Sequence, residues 1–390
     1  MCDHKQMPVA QTALTLGAVV RRYGGDYRET HTLCGVQDKA LCAIARCRTA
    51  ALGGHVSRCD HCGAEIIQYN SCRNRHCPTC QTVARLRWVE AREAELLPVP
   101  YFHVVFTLPH TINPLAQGNP KIVYNRLFKA AADTLKAFAA DPKHLGAVPG
   151  ITMVLHTWSQ NLGQHLHVHC IVTGGGLSPD GEHWIPCKHN PHAKKVFLFP
   201  VKALSQVFRG KFISGLRQDY AAGELHFAGG TTAFESPTGF GVLLDQLHAK
   251  PWVVYAKHPF AGPKQVIAYL SRYTHRVAIG NHRLLSMDDD QVTFRYKDYA
   301  DQGQQKSMTL QADEFLRRFL LHILPRGFMR LRHYGLLANR YRKQKLARCR
   351  QLLHQPDPPS REKEDPVDLL QRLAGIEASA SCSRPLPTSL

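Results

Sequence analysis

The sequence predicts an α+β chain with a small metal-held module before the main body and a basic helical region after it. Three observations carry this. Residues 46–82 are crowded with Cys, His, Arg and Gly and show little apolar periodicity. Residues 98–325 mix short β-rich runs with longer stretches of helical spacing. Residues 326–350 carry nine Lys or Arg and no acid. The expected organisation is a helical and cysteine-rich domain over 1–97, a main α+β domain over 98–325, a basic helical region over 326–355 and a disordered tail over 356–390.

Composition narrows the partners. The 390 residues are 44% hydrophobic, enough for a packed core, and the formal net charge is +19. Such an excess favours a polyanion, nucleic acid before an anionic membrane, because no apolar run reaches the ~18 residues of a span. The start, "MCDHKQMPVAQTALTLGAVV", lacks the pattern of a signal peptide. A reducing compartment is therefore expected, and the 13 cysteines read as thiols or metal ligands.

Along the chain, "LGAVVRRYG" and "VQDKALCAIARC" show helical spacing within residues 1–45, and 83–97 reads as a helix. "YFHVVFTLP" (101–109) reads as a strand ended by Pro109, and 122–140 as an amphipathic helix. "GITMVLHTWSQ" (150–160) and "HLHVHCIVTGG" (165–175) form a hairpin about the polar turn "NLGQ". Helices are expected over 201–220, 264–278 and 312–324, and a hairpin over 283–299 turning on three aspartates. Residues 176–260 map to no expected unit and read as an insertion or connector.

The cysteine stretch holds Cys59-x2-Cys62 and Cys77-x2-Cys80. A CxxC turn places two thiolates on one zinc, and two such turns complete a tetrahedron. Cys47, His55, Cys72 and His76 are further candidates for a second zinc, with the division among the eight left open. Arg46, Arg48, Arg58, Arg73 and Arg75 surround the cluster and suit a DNA-binding module.

In the hairpin, His165, His167 and His169 alternate along one strand and share a face. His167-Val168-His169 can hold a divalent ion with open positions for a phosphate oxygen. Gln160 is the expected third ligand, with His165 and His103 as rivals. On the 264–278 helix Tyr269 and Tyr273 stand at i and i+4, on one face. A tyrosine oxygen can attack phosphorus, and Lys257, Lys264, Arg272, His275 and Arg276 lie near in sequence to neutralise phosphate.

Taken together, "CRTAALGGHVSRCDHCG", "NSCRNRHCPTCQ", "FHVVFTLPHTINPL", "HLHVHCIVTGGGL", "HPFAGPKQVIAYLSRYTHRVAI" and "RRFLLHILPRGFMRLRHYGLLANRYR" give the chain, over most of residues 35–350, a clear likeness. It resembles the rolling-circle HUH transposases of the bacterial insertion-sequence-91 type, relatives of the Helitron enzymes. The resemblance implies an HUH-type antiparallel sheet of the split βαβ kind, with the histidine strand central and the tyrosine helix on its metal face. It implies Mg²⁺ or Mn²⁺ held by His167 and His169, and structural zinc in the N-terminal module. It implies attack by Tyr269 and Tyr273 on single-stranded DNA at transposon ends and target, leaving a 5′-phosphotyrosine and a free 3′-hydroxyl. Arg330, Arg332, Arg340 and Arg342 of the basic region are then DNA contacts, and the setting is the bacterial cytoplasm, at the nucleoid. A replication initiator or relaxase would share this chemistry. A zinc-dependent DNA-binding regulator would explain the charge and the CxxC pairs but not the H-V-H and Y-x3-Y patterns. Three-carboxylate transposition is disfavoured, since the 30 acids form no evident triad.

Overall fold

The computed structural model describes residues 14–58, 63, 65–188, 198–256, 265–266, 278–358, 364, 369 and 372. The chain opens with α1 (Leu16–Thr30) and α2 (Gly35–Arg46), whose apolar faces meet through Leu16, Val19, Val20, Leu41 and Ile44. Thr15 caps α1, its hydroxyl accepting from the Ala18 N–H. A two-stranded hairpin follows, β1 (Gly54–Arg58) and β2 (Glu65–Tyr69), then α3 (Thr82–Glu93).

The main body begins with β3 (Tyr101–Thr107), α4 (Asn113–Gly118) and α5 (Pro120–Ala140). Then come the long strands β4 (Val148–Trp158) and β5 (Gln164–Leu177), joined by a tight turn in which Leu162 takes a left-handed φ of 64°. β6 (Trp184–Pro186), α6 (Val201–Ala221), α7 (Pro237–Ala249) and β7 (Val254–Ala256) complete the region that sequence left unmapped. It is no loose connector. α6 and α7 bury Leu204, Phe208, Phe212, Leu216, Leu243 and Leu247 in the largest core, and β7 is a strand of the main sheet.

A second, three-stranded sheet is built from β8 (Leu284–Asp288), β9 (Gln291–Asp298) and β10 (Gln304–Gln311), followed by α8 (Ala312–Leu320). The β8–β9 turn falls on Asp289 and Asp290, both with positive φ, as the aspartates foretell. Its third strand, β10, was not foreseen. The basic region also departs from expectation: it begins with a strand, β11 (Leu331–Gly335), before α9 (Arg342–Leu352). β11 pairs with β4, so a division at residue 326 cuts off a strand of the main sheet. Gly335 is required there, because with φ of 65° a Cβ would lie 1.9 Å from the Pro149 carbonyl oxygen.

The main sheet is antiparallel with order β11-β4-β5-β3-β7, and β6 pairs with β5. The histidine strand is therefore central, as the resemblance implies. Alternation sends Val104, Phe106, Met153, Leu155, Leu166, Val168 and Cys170 to one face, against α5, α6 and α7. Arg126 and Asp219 lock α5 to α6 through a two-pronged ion pair at 2.5 Å. The opposite face carries His103, His156, His167 and His169, with Tyr101, Val154 and Ile171 packing beside them on Val266. Gly174 and Gly176 let strands approach: a Cβ there would lie 2.8 Å from the Pro100 oxygen and 2.7 Å from the Val148 backbone. The N-terminal helices are not a separate body. α1 and α2 share one core with Phe294, Phe315 and Phe319 of the second sheet and α8. Among the described residues no helix is long and apolar enough to cross a membrane.

Candidate metal centres and the active-site cleft

Four thiols converge in the N-terminal part: Cys47, Cys72, Cys77 and Cys80 all place sulfur within 4.8 Å of one another. This set departs from two CxxC turns sharing one zinc. Cys77 and Cys80 are joined instead by two cysteines assigned to a second site, and Cys59 and Cys62 lie outside the described residues. The reason is local. Cys47 and Cys72 flank the Gly54–Tyr69 end of the β1–β2 ladder, and that pairing brings them to one place. Arg48 and Arg73, each one residue past a cluster cysteine, adopt left-handed φ of 59° and 52°. Such turns cost energy in a non-glycine residue and persist only where the surrounding structure holds the backbone. Hydrogen bonding from the neighbouring Cys72 and Cys77 thiols lowers the Cys80 thiol, and the Cys72 and Cys80 sulfurs lie 3.7 Å apart. That donor set fits tetrahedral zinc.

His55 and His76 stand apart from this cluster. His55 is exposed on β1, with Nε2 3.0 Å from Gln68 Oε1. Both nitrogens of buried His76 are in use: Nδ1–H donates to Asn74 Oδ1 at 3.0 Å, and Nε2 accepts the Leu324 N–H at 3.2 Å. Arg75 adds bonds to the carbonyls of Phe328, Pro325 and Leu324 at 2.6, 3.0 and 3.4 Å. Asn281 Nδ2 donates to Thr79 Oγ1 at 3.1 Å. The cysteine turn thus clamps the chain after α8 and the segment leading into β8.

The second convergence lies on the central sheet. His167 Nε2 is 3.1 Å from His169 Nε2, which is 3.0 Å from His156 Nδ1. His156 faces His167 across the β4–β5 pair. The third partner is therefore His156, in place of Gln160 and of the rivals His165 and His103. A bulge after the His156–His167 pair offsets the turn, where the Gln160 carbonyl is held by Arg283. The signal was in "GITMVLHTWSQ": His156 shares the alternation of Thr152 and Val154, but register across a hairpin is not written in either strand alone.

Tautomers follow from the partners. His167 Nδ1 lies 2.9 Å from the His165 carbonyl, which only accepts, so Nδ1 carries the proton and Nε2 presents a lone pair. Burial, then the neighbouring His169, keep His167 neutral well below the ordinary range. His169 Nδ1 is 2.9 Å from Nε2 of buried His103, whose ring stacks on it at 10°. The Trp158 ring stacks on His156 with centroids 4.5 Å apart. Trp158 is the support sequence reasoning missed, while His103, expected as a rival ligand, supports the His169 ring instead.

The three histidines floor a cleft of about 930 Å³ lined also by Thr107, Asn113, Gln160, Gln164, His165, Tyr255, Tyr296 and the 297–299 segment. Gln160 and His165 thus reach the cleft without joining the trio. Of the basic-region arginines, Arg332 stacks on Phe128 at 4.2 Å and bonds Asn125, Arg342 pairs with Glu95 at 3.2 Å, and Arg340 is exposed beside Tyr341. Burial lowers Arg330 to about 10. Tyr269, Tyr273, Lys257, Lys264, Arg272, His275 and Arg276 lie outside the described residues.

Known proteins resemble this chain in sequence. A family model described as "Putative transposase" matches residues 150–345, and one described as "Transposase zinc-binding domain" matches 19–108. The chain is 51% identical over 365 residues to "Putative transposase y4qJ" of Sinorhizobium fredii, covering 93% of this chain and 90% of that protein. It is 29% identical over 312 residues to the transposase for insertion sequence element IS801 of Pseudomonas savastanoi pv. phaseolicola, covering 78% and 71%. A solved conjugative relaxase TrwC in complex with oriT DNA aligns with 45% of this chain and 71% of that chain, at 13% identity and a TM-score of 0.23.

Proposed function

Because the chain belongs to the insertion-sequence-91 family of transposases, we propose that it cuts and rejoins single-stranded DNA at transposon ends through a tyrosine nucleophile and a histidine-held divalent ion. The observation that carries this reading is the trio His156, His167 and His169, three imidazoles converging on the central strand at the floor of an open cleft. Three protein ligands leave coordination positions open, the arrangement of a catalytic and not a structural metal.

His156 Nδ1 and Nε2 of His167 and His169 would hold the ion. An all-imidazole set suits Mn²⁺ better than Mg²⁺, which prefers oxygen. When bound, the ion supplies Lewis-acid polarisation of a phosphate oxygen. His103 and Trp158 hold the rings in place, and the His165 carbonyl fixes the His167 tautomer. Val266, three residues before Tyr269, is buried against Val154 and Ile171 on the histidine face. This supports Tyr269 and Tyr273 as the nucleophiles. A tyrosine oxygen then bonds phosphorus as the bond to the 3′ oxygen breaks; that oxygen leaves with a proton as a 3′-hydroxyl, and the 5′ side stays on the enzyme. The phosphodiester energy is kept, so rejoining needs no nucleotide cofactor. Zinc at Cys47, Cys72, Cys77 and Cys80 is structural, and the site of action is the bacterial cytoplasm at the nucleoid.

The test uses a labelled single strand from the element's end, incubated with the protein and Mn²⁺ and resolved under denaturing conditions. Wild type yields a protein–DNA adduct on the 5′ side. Tyr269→Phe/Tyr273→Phe together remove it; an undiminished adduct overturns the assignment.

A further inference from the structure

The cleft holds aromatic surface that the chemistry of the three histidines does not use. Tyr255 on β7 is 51% exposed and Tyr299, just past β9, is 69% exposed, yet both line the same cleft as the histidines. Exposed tyrosine rings forgo burial that a core position would give, and two in one cleft form a concentrated apolar surface in a polar wall. Their positions are set by different elements. Tyr255 faces Val105, and Val105 faces His169, so Tyr255 stands two strand spacings from the metal ligand, ~10 Å. That is about three stacked nucleotides at ~3.4 Å each. Tyr299 comes from the turn between β9 and β10, with the Lys297 amine 5.6 Å from its ring centre.

The charge around these rings points to the same occupant. Among the described lining residues the one acid is Asp298, and it is bound to Lys306 at 2.9 Å. The lining otherwise offers Lys297, amides and imidazoles, which tolerate a polyanion. Flat aromatic faces beside a cation and without free acid are what single strands need: rings take unstacked bases, and the ammonium meets a phosphate.

We infer that Tyr255 and Tyr299 are stacking platforms for unstacked bases that flank the scissile phosphate. This rests on the proposed action on single-stranded DNA. The platforms explain how an open cleft holds a flexible strand in register over the histidines. Stacking tolerates any base, so these residues set affinity and the path of the strand, and sequence choice lies elsewhere.

The experiment is fluorescence anisotropy of a labelled 20-nucleotide single strand in EDTA, where no cleavage occurs. Tyr255→Ala and Tyr299→Ala should each weaken binding ~10–100-fold, with the phenylalanine variants recovering most of it, since Phe keeps the ring and loses only the hydroxyl. Tyr341→Ala, exposed away from the cleft, is the comparison for a merely removed surface ring. Unchanged melting temperatures exclude misfolding as the cause. Alanine variants that bind as wild type overturn the platforms while leaving the catalytic proposal intact. A wild-type protein with no affinity for single strands overturns both. With Mn²⁺ added, loss of the covalent adduct in Tyr255→Phe would make that hydroxyl a nucleophile and likewise overturn the platform role.

Discussion

The two metal constellations are built on opposite plans. Cys47, Cys72, Cys77 and Cys80 form a closed set of four, half or fully buried against the core shared by α1, α2 and α8. His156, His167 and His169 form a set of three at the floor of an open cleft. Four soft thiolates leave zinc no free position, so the ion can only hold the chain together. Three imidazoles leave room for a substrate oxygen. The supports differ to match. The cysteine turn is tied by Arg75 and His76 to the backbone of residues 324–328, and by Thr79 to the Asn281 side chain. The histidine rings are held by hydrogen bonds and stacking from neighbours on the same sheet. One site is wired into the fold, and the other is displayed by it.

Removing a ligand from each site should break the comparison if it is wrong. Cys77→Ser is expected to lower zinc content by one ion per chain and to cost more than ~5 kcal/mol, given the ~10–16 kcal/mol that structural zinc supplies to small zinc domains. Elemental analysis with thermal unfolding measures both. An unchanged melting temperature in a zinc-free variant would show the cluster to be a passenger. His167→Ala should instead leave unfolding within ~1 kcal/mol of wild type while cleavage falls at least ~10³-fold, about 4 kcal/mol of transition-state stabilisation. The same assay separates the two candidates for third ligand. His156→Ala should abolish Mn²⁺ binding in a titration followed by paramagnetic resonance, and Gln160→Ala should change it less than ~2-fold. The reverse order would restore Gln160.

Much of this was legible in the sequence, for reasons that also mark where legibility stops. Alternation in "HLHVHCIVTGG" put three histidines on one face, and the flanking turn signals put them in a hairpin, because strand period and turn chemistry are local. The spacing of 122–140 and 201–220 read directly as helices, and α5 and α6 cover both. What failed was non-local. His156 joins the trio only through the β4–β5 register, and that register includes a bulge. Cys47 joins Cys77 across a hairpin whose ends sequence spacing cannot tell apart. Leu331–Gly335 reads as part of a basic stretch, and only pairing with β4 makes it a strand. His76 looked like a ligand because it stands beside Cys77, but both its nitrogens are spent on Asn74 and Leu324.

Acid offers the finest cut between the two regions, because buried histidines outside either metal set respond to it. His322 is enclosed where α8 meets the β4–β5 turn. Its Nε2–H donates to the Leu162 carbonyl at 3.0 Å, so Nδ1 accepts from the Thr157 hydroxyl at 3.1 Å. Burial lowers it from 6.5 to about 4. His333 on β11 is lowered to about 4 by burial and by the charge of Arg92. Above pH 6.5 both are neutral in folded and unfolded chain alike, and stability is at its plateau. Below 6.5 the unfolded chain takes up protons that the folded chain refuses, so stability falls until the pH reaches the folded value near 4. Each histidine removes about 1.4 kcal/mol per pH unit across that window, or roughly 3 kcal/mol in all. Urea unfolding of wild type against His322→Gln between pH 7 and 4.5 isolates one of them. The variant should lose stability less steeply by that amount per unit, while zinc content tracks wild type at each pH. Parallel slopes would mean that the acid sensitivity belongs to groups other than His322, with His333 the next to test.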